Sequence, residues 1–301
     1  MVKAHNFTVR PLLSDDAAAL DALLAPHTAE AYHLRLNALA YKLVYEGKPF
    51  EAEYFGAFEE GRLVGVLSYS WNNTILVFAE NPESLPLLAQ AARGAIVKRG
   101  GVLEAVVGLA PHAGAVIEGL AIPPDVLRKR NEGWLFRLGL ENLHLPRWPE
   151  DVFLRLAEEK DRILLVAWRM AFNMEAKNAA SGPKLKAAVE KEVDFWLKNT
   201  PTFMLEKEGR PVSFCGLGGN IPDMVIVGPV FTPMEMRNQG YGRVVTGYGL
   251  KMLMDERSAL REATLYAVRP DAIRVYESLG FRRAADWLSA ALKEDYKVTE
   301  S

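Results

Sequence analysis

The chain has 301 residues, half of them apolar, enough for one large core or two medium ones, and two is the better expectation at this length. With 36 basic and 38 acidic residues the net charge is −2, which excludes an overall electrostatic pull toward nucleic acid or an anionic membrane. The single cysteine, Cys215, excludes an internal disulfide and a cysteine-based metal site and fits a reducing compartment.

In chain order, MVKAHNFTVRPLL lacks the apolar stretch of a signal peptide. Arg10-Pro-Leu-Leu-Ser-Asp-Asp16 reads as a short strand, a polar turn and an aspartate placed to cap a helix. Apolar runs at 54–58 and 63–70 flank Glu60-Gly61-Arg62 and predict a β-hairpin. Further on, Asn81-Pro82-Glu83-Ser84-Leu85-Pro86 leads toward a helix without any glycine. A β-like run, Val102–Val107, precedes a helix that starts at Pro111 and carries Ile117. The region from Val102 to Ile122 is the most apolar, but Glu104, Pro111, His112 and Glu118 interrupt it. It cannot supply the about 20 uninterrupted apolar residues of a membrane span, so a cytoplasmic protein with no membrane partner is expected. Two prolines in Leu145-Pro-Arg-Trp-Pro149 mark a boundary and predict domains at 1–147 and 148–301.

The second half repeats the first. Arg155–Asp161 matches Arg10–Asp16, Glu208-Gly209-Arg210 matches Glu60-Gly61-Arg62, and the helix from Pro270 through Tyr276 and Glu277 matches that from Pro111 through Ile117 and Glu118. The offset grows from 145 (Arg10 to Arg155) through 148 (Glu60 to Glu208) to 159 (Pro111 to Pro270), as loop insertions would make it. Each half reads as strand, one or two helices, hairpin and further strand, then helix, strand, helix and closing strand. This is an α/β (α+β) layer pattern whose hairpins imply a mixed, largely antiparallel sheet. Between the first strand of this half and its hairpin, Trp168 and Phe172 form an i, i+4 pair suited to a core or to the edge of an acceptor pocket. Asn178–Pro183 reads as a mobile loop where specificity could sit, and Lys184, Lys186 and Lys191 as a solvated helix face.

The apolar run Met224–Phe231 predicts a buried strand, and a helix is expected after Arg237, to about Glu256, with Val244, Val245, Tyr248 and Met252 on one stripe. Between them lies Arg237-Asn238-Gln239-Gly240-Tyr241-Gly242-Arg243. At such a helix start, amides without partners and the helix dipole favour an anion, and glycines let a phosphate approach the backbone. Taken alone, the junction fits equally a glycine-rich turn that binds nothing. A dinucleotide fingerprint would need glycine where Val245 stands, which disfavours a nucleotide-dependent oxidoreductase, and a P-loop would need a lysine that the loop lacks.

The stretch VFTPMEMRNQGYGRVV followed by RVYESLGFR resembles the GNAT superfamily of acyl-CoA N-acyltransferases, whose signature is Arg/Gln-x-x-Gly-x-Gly/Ala with a later Tyr-Glu-x-Leu-Gly-Phe. Arg237, Gly240 and Gly242 fill the first motif; Tyr276, Glu277, Leu279, Gly280 and Phe281 fill the second. The Thr232-Pro233 lead-in and the Arg-x-Ala-x-x-x-Asp of 155–161 also look like family members. The likeness covers about 150–293 directly and reaches the first half only through the internal repeat. It implies two tandem GNAT-like domains, the first degenerate and the second an acetyltransferase that moves an acetyl group from acetyl-CoA to a small-molecule or peptide amine by direct attack. It also implies that Val230, Phe231 and Thr232 meet the pantetheine, and that Arg237, Asn238, Gln239, Gly240, Tyr241, Gly242 and Arg243 hold the pyrophosphate.

Within that resemblance Tyr276 stands where the family places its acid, although Ala272, Val275, Tyr276 and Leu279 form a stripe that would turn it inward in any case. A backbone amide near Val230 would serve the oxyanion. The matching position in the first half is Ile117, which has no proton to give, so that half is expected to keep the fold without the chemistry. Glu175 and Asp223 are candidate bases that read equally as solvated charges, and a water chain is a third possibility. Arg269 stands where relatives often have asparagine. No histidine spacing suggests a metal: His27 and His33 are six apart, and His5, His112 and His144 are isolated. A non-catalytic acyl-CoA-binding regulator is the alternative function, and neither the acceptor nor the oligomeric state can be read.

Overall fold

The structure is a computed structural model and describes residues 6–300 apart from 42, 178, 220 and 295. His5, and Asn178 at the head of the proposed specificity loop, lie outside the described residues. The chain divides into two compact units: unit 1 comprises Met1–Leu135, Tyr266–Val268 and Arg283–Ser301, and unit 2 comprises Phe136–Leu265 and Arg269–Arg282. The expected linear cut between 147 and 148 is therefore not where the contacts divide.

Unit 1 contains strands β1 (Phe7–Pro11), β2 (Ala52–Glu59), β3 (Arg62–Ser70), β4 (Thr74–Ala79) and β5 (Ala105–Leu109). Its helices are α1 (Ala17–Leu24), α2 (Tyr32–Ala40), α3 (Leu85–Lys98) and α4 (Ala110–Gly119). The chain then enters β6 (Leu127–Gly139), whose residues to Leu135 belong to unit 1 and the rest to unit 2. Unit 2 continues with β7 (Val152–Leu156), α5 (Arg162–Lys177), α6 (Pro183–Asn199), β8 (Thr202–Lys207), β9 (Arg210–Gly218) and β10 (Met224–Phe231). It ends with α7 (Tyr241–Glu256), β11 (Glu262–Ala267) and α8 (Pro270–Ser278); the last strand, β12 (Arg282–Leu292), lies almost wholly in unit 1. Each half thus has the same order of ten elements, as the repeat predicts.

The sheet of unit 1 runs β1-β2-β3-β4-β5-β12 and then the first part of β6; that of unit 2 runs from the second part of β6 through β11-β10-β9-β8-β7. Among the strand pairs whose register is described, β4 with β5 and β10 with β11 are parallel and the others antiparallel. The closing strands have changed places: β12 pairs with β5 from Trp287↔Leu109 to Ala291↔Ala105.

Alternation along the strands of unit 1 fills two cores, as a period of two requires. Phe55, Ala57 and Leu67 pack under α3 and α4 with Leu288, Ala290 and Leu292 of β12. Tyr54, Leu63, Val66 and Phe78 point the other way, onto Leu20, Leu23 and Leu24 of α1 and Leu34 of α2. In unit 2, Leu165, Val189, Val193 and Trp196 of α5 and α6 cover Met204, Phe214 and Phe231. Trp168 joins that core, its ring 6.0 Å from Phe214 and 6.0 Å from Phe231. Lys184, Lys186 and Lys191 lie on the exposed side of α6.

The two repeat aspartates close capping boxes on the short 3₁₀ turns Ser14–Asp16 and Glu159–Asp161, and Asp16, though at the N-cap of α1, does not cap that helix with its side chain. Asp16 accepts from both guanidinium nitrogens of Arg10 at 2.7 Å and from the Leu13 amide at 2.8 Å. Asp161 does the same with Arg155 at 2.6 and 2.8 Å and with the Glu158 amide at 2.8 Å. Each aspartate clamps the strand before it to the turn after it, and Arg155 also reaches Glu206 on β8.

Candidate active site

The site of unit 2 begins with a break in its sheet. β10 pairs in parallel with β11 only from Met224↔Glu262 to Ile226↔Thr264. Its antiparallel pairing with β9 continues to Phe231↔Phe214, with a register shift between Val227 and Val230. Beyond Ile226, therefore, the side of β10 that faced β11 has no strand partner among the described residues. The Gly228–Pro229 bond inside this bulge is cis. In unit 1, β3 pairs with β4 with no such shift. A bulge that opens a strand edge is the usual way to expose backbone groups next to a site.

From this edge the chain turns through a short 3₁₀ segment, Met234–Met236, into α7. Gly240 is the N-cap with φ +82°, and its missing side chain leaves open space; no side chain caps the helix. Asn238 also has positive φ, 62°. The first amide with a carbonyl partner is that of Val244, bonded to Gly240 at 3.0 Å. Among the described residues the six amides from Asn238 to Arg243 make no hydrogen bond within the protein. The positive end of the α7 dipole adds to them. At the corresponding place in unit 1 the Asn81 side chain accepts the Glu83 amide at 3.2 Å, and Pro82 and Pro86 have no N–H to offer.

The side chains of the loop divide into structural and available ones. Arg237 donates through Nε to the Thr232 carbonyl at 2.9 Å and pairs with Glu175 at 2.6 Å. It braces the loop, and Glu175, a candidate base, is its partner, with Arg269 3.8 Å away. Arg269 is itself held by Asp271 at 2.7 Å. Arg243 has no side-chain partner among the described residues and is half-buried. Tyr241 is buried, and its hydroxyl donates to Gln239 at 2.9 Å, so only its amide faces the junction. Gly242 lies beside Thr232: a Cβ there would stand 3.5 Å from the threonine Oγ1.

On β10 the Phe231 side chain is core, and its carbonyl accepts the Ser213 hydroxyl at 3.0 Å. The Thr232 hydroxyl meets Ser213 at 2.9 Å. Of the three residues expected to meet pantetheine, Val230 has neither a core side chain nor a side-chain bond to its backbone. Asp223 lies seven residues before it, roughly 20 Å at ~3.3 Å per residue, too far to serve the same reacting centre.

Tyr276 is half-buried on α8 against Phe281, ring centroids 5.9 Å apart. Its hydroxyl end is desolvated, which pushes its pKa well above the ordinary tyrosine value, with smaller contributions from Cys215 and Asp271. Cys215 sits opposite Val230 in the β9–β10 register, so the hydroxyl approaches the bulged stretch of β10. The Cys215 thiol is wholly buried and pushed up to about 12 by desolvation, which leaves it an inert core group. Among the described residues no three His, Cys, Asp or Glu side chains stand together as a metal site, and no helix is long and apolar enough to cross a membrane.

The same order of ten elements in each half, each with one parallel strand pair (β4 with β5, β10 with β11), is the order of the GNAT fold, and the bulge and glycine-capped helix belong to unit 2. Solved structures with that fold align over nearly all of the chain. A tandem GNAT protein from the clavulanic acid biosynthesis pathway aligns with TM-score 0.61 and 13% identity over 97% of this chain and 100% of its own. A Drosophila protein aligns at 0.66 and 12% over 97% and 100%, and a GCN5-related N-acetyltransferase from Sphaerobacter thermophilus at 0.62 and 14% over 98% of both chains. No family model and no curated protein sequence matches the chain.

Proposed function

We propose that this protein is a cytoplasmic N-acetyltransferase that moves the acetyl group of acetyl-CoA to an amine, with unit 2 carrying the chemistry. The observation that carries the reading is the run of six amides without protein partners, Asn238 to Arg243, at the start of α7 beside an open edge of β10. A diphosphate supplies what those donors lack: charge-assisted acceptors at a positive helix end, with the Arg243 guanidinium beside them. Gly240 and Gly242 keep side chains out of its way. The open backbone of β10 near Val230 suits the amides of an extended pantetheine.

In this reading a neutral amine attacks the thioester carbonyl carbon. The C–N bond forms, the oxygen takes the carbonyl electron pair, and the Val230 amide stabilises it. Collapse breaks the C–S bond, the electron pair leaves on sulfur, and the ammonium proton passes to solvent. The Tyr276 hydroxyl donates a hydrogen bond to the departing sulfur. Because desolvation raises its pKa, it stays protonated at neutral pH, and complete transfer to a thiolate near 8.5 would be uphill. Its role is thus donation to the leaving group. With Glu175 bound to Arg237 and Asp223 distant, solvent is the proton acceptor that the geometry favours.

Calorimetry with acetyl-CoA and with desulfo-CoA tests the reading. Both should bind, through the same diphosphate, and free thiol should appear only with acetyl-CoA and an amine. Failure of both to bind would refute it. Binding with no thiol release across a panel of amines would leave the acyl-CoA-binding regulator as the function.

A further inference from the structure

Two hydroxyls meet beside the α7 junction, and the proposed chemistry gives neither of them a task. Ser213 on β9 is fully buried. Its Oγ donates to the Phe231 carbonyl at 3.0 Å and lies 2.9 Å from Oγ1 of Thr232. Thr232 is half-buried, and its carbonyl accepts Nε of Arg237 at 2.9 Å. Its hydroxyl stands beside the first turn of α7, where a Cβ on Gly242 would be 3.5 Å from it. The matching place in unit 1 is built differently. Three residues past the hairpin arginine stands Ser213 after Arg210, but Gly65 after Arg62. A side chain at Gly65 would meet the Ser84 Oγ at 2.7 Å, and Ser84 itself donates to the Asn81 carbonyl at 2.7 Å. The hydroxyl pair thus accompanies the unit whose loop amides are open.

Proton counting sets the direction of these bonds. A carbonyl oxygen only accepts, so the single Ser213 hydroxyl proton is spent on Phe231. The contact between the two hydroxyls then needs the Thr232 proton, and Thr232 is the donor to Ser213. Toward a ligand Thr232 has only lone pairs left. A phosphate oxygen placed there would face them with no proton between, so the seat of the diphosphate ends at Thr232. An N–H placed there finds an acceptor.

We infer that the Thr232 hydroxyl accepts an N–H of the pantetheine arm, and that Ser213 is the positioning residue that fixes its polarity. The inference rests on the thioester reading and adds to it a side-chain contact and the buried residue behind that contact. Ser213 touches no ligand. It acts by keeping the Thr232 proton turned inward.

Calorimetry with coenzyme A on the full chain tests this. Thr232→Val keeps the shape, removes the hydroxyl and should weaken binding about fivefold, the scale of one neutral hydrogen bond. Thr232→Ser should restore affinity to within about twofold of the unaltered protein. Ser213→Ala should weaken binding about threefold, because Thr232 loses its acceptor and its proton is free to turn toward the arm. The double variant should bind as Thr232→Val alone does, since without that hydroxyl Ser213 has nothing to orient. Additive losses would assign Ser213 to packing and overturn the inference. Unchanged affinity in Thr232→Val, or no rescue by serine, would overturn it too. Circular dichroism checks that each variant folds; should Ser213→Ala not fold, the valine and serine variants at 232 decide alone. If the unaltered protein does not bind coenzyme A, the thioester reading fails and this inference with it. If it binds and the variants match it, only the inference fails.

Discussion

Tyr276 is the side chain on which turnover is expected to depend without affinity depending on it. Tyr276→Phe should lower kcat by about 10²-fold, the scale for loss of one hydrogen-bond donor to charge that develops in the transition state, and leave the Kd for coenzyme A within threefold. Equal losses in both would point to a packing role against Phe281. The raised pKa gives a second readout. The charged form is the one that desolvation disfavours, so the donor persists above the ordinary tyrosine value of about 10. The rate should therefore rise with pH as the amine deprotonates and show no descending limb below about pH 10. Asp161 illustrates a purely structural residue. It is 5% exposed and paired with an Arg155 that is 13% exposed. Desolvation raises its pKa, but the Arg155 and Glu158 hydrogen bonds outweigh that and hold it below the ordinary carboxylate value. A depressed folded pKa means stability that is present above about 3.9 and lost as pH falls through the lower folded value. Asp161→Asn should cost about 2 kcal/mol in urea unfolding at pH 7, less than a fully broken buried pair because Glu206 remains on Arg155. The difference from the unaltered protein should shrink as the pH falls below about 3.9 and the Asp161 carboxylate takes up its proton. A constant difference across that range would show that packing, not the ion pair, is involved.

At the scale of elements, the start of α7 and the bulge of β10 form one device. Gly240 separates its two requirements. Its φ of +82° is costly for any residue with a Cβ, yet there is open space where the Cβ would go. Gly240→Ala should thus cost the free protein only about 1 kcal/mol. Gly240→Asp adds a carboxylate among the amides and should weaken coenzyme A binding by more than tenfold beyond the alanine variant. Calorimetry on the two side by side decides; identical affinities would mean that the amides do not hold the diphosphate. The glycines, the strand before them and the helix after them are legible in the sequence because each depends on neighbours within a few residues. The structural task of Arg237 is not. The motif marks it as a loop arginine, but its partner Glu175 is 62 positions away, so only folding assigns it to bracing and leaves Arg243 available.

At the scale of the molecule, the placement of β12 decides which pieces of chain can fold. Leu288 and Leu292 are fully buried in the core of unit 1, and each contributes about 2 kcal/mol by burial alone. A fragment ending at 147 lacks them and leaves β5 with β4 on one side and no antiparallel partner on the other. We expect that fragment 1–147 gives no cooperative thermal transition and no near-ultraviolet circular dichroism, although it contains the whole first repeat. Adding a peptide of residues 282–301 should restore both. A sharp transition in the fragment alone would show that β12 is dispensable to unit 1.

Much of this architecture was written into local sequence. The repeat, the hairpins at Glu60-Gly61-Arg62 and Glu208-Gly209-Arg210 and the glycine-led helix all follow from short-range pattern and composition, because turn chemistry, periodicity and burial preference act over a few residues. The exchange of closing strands did not. The apolar positions of β12 suit the core of either half, and strand pairing is fixed by contacts between segments distant in the chain, which periodicity does not encode. The same holds for the bracing of Arg237 by Glu175, residues ordinary in isolation that folding brings together from 62 positions apart.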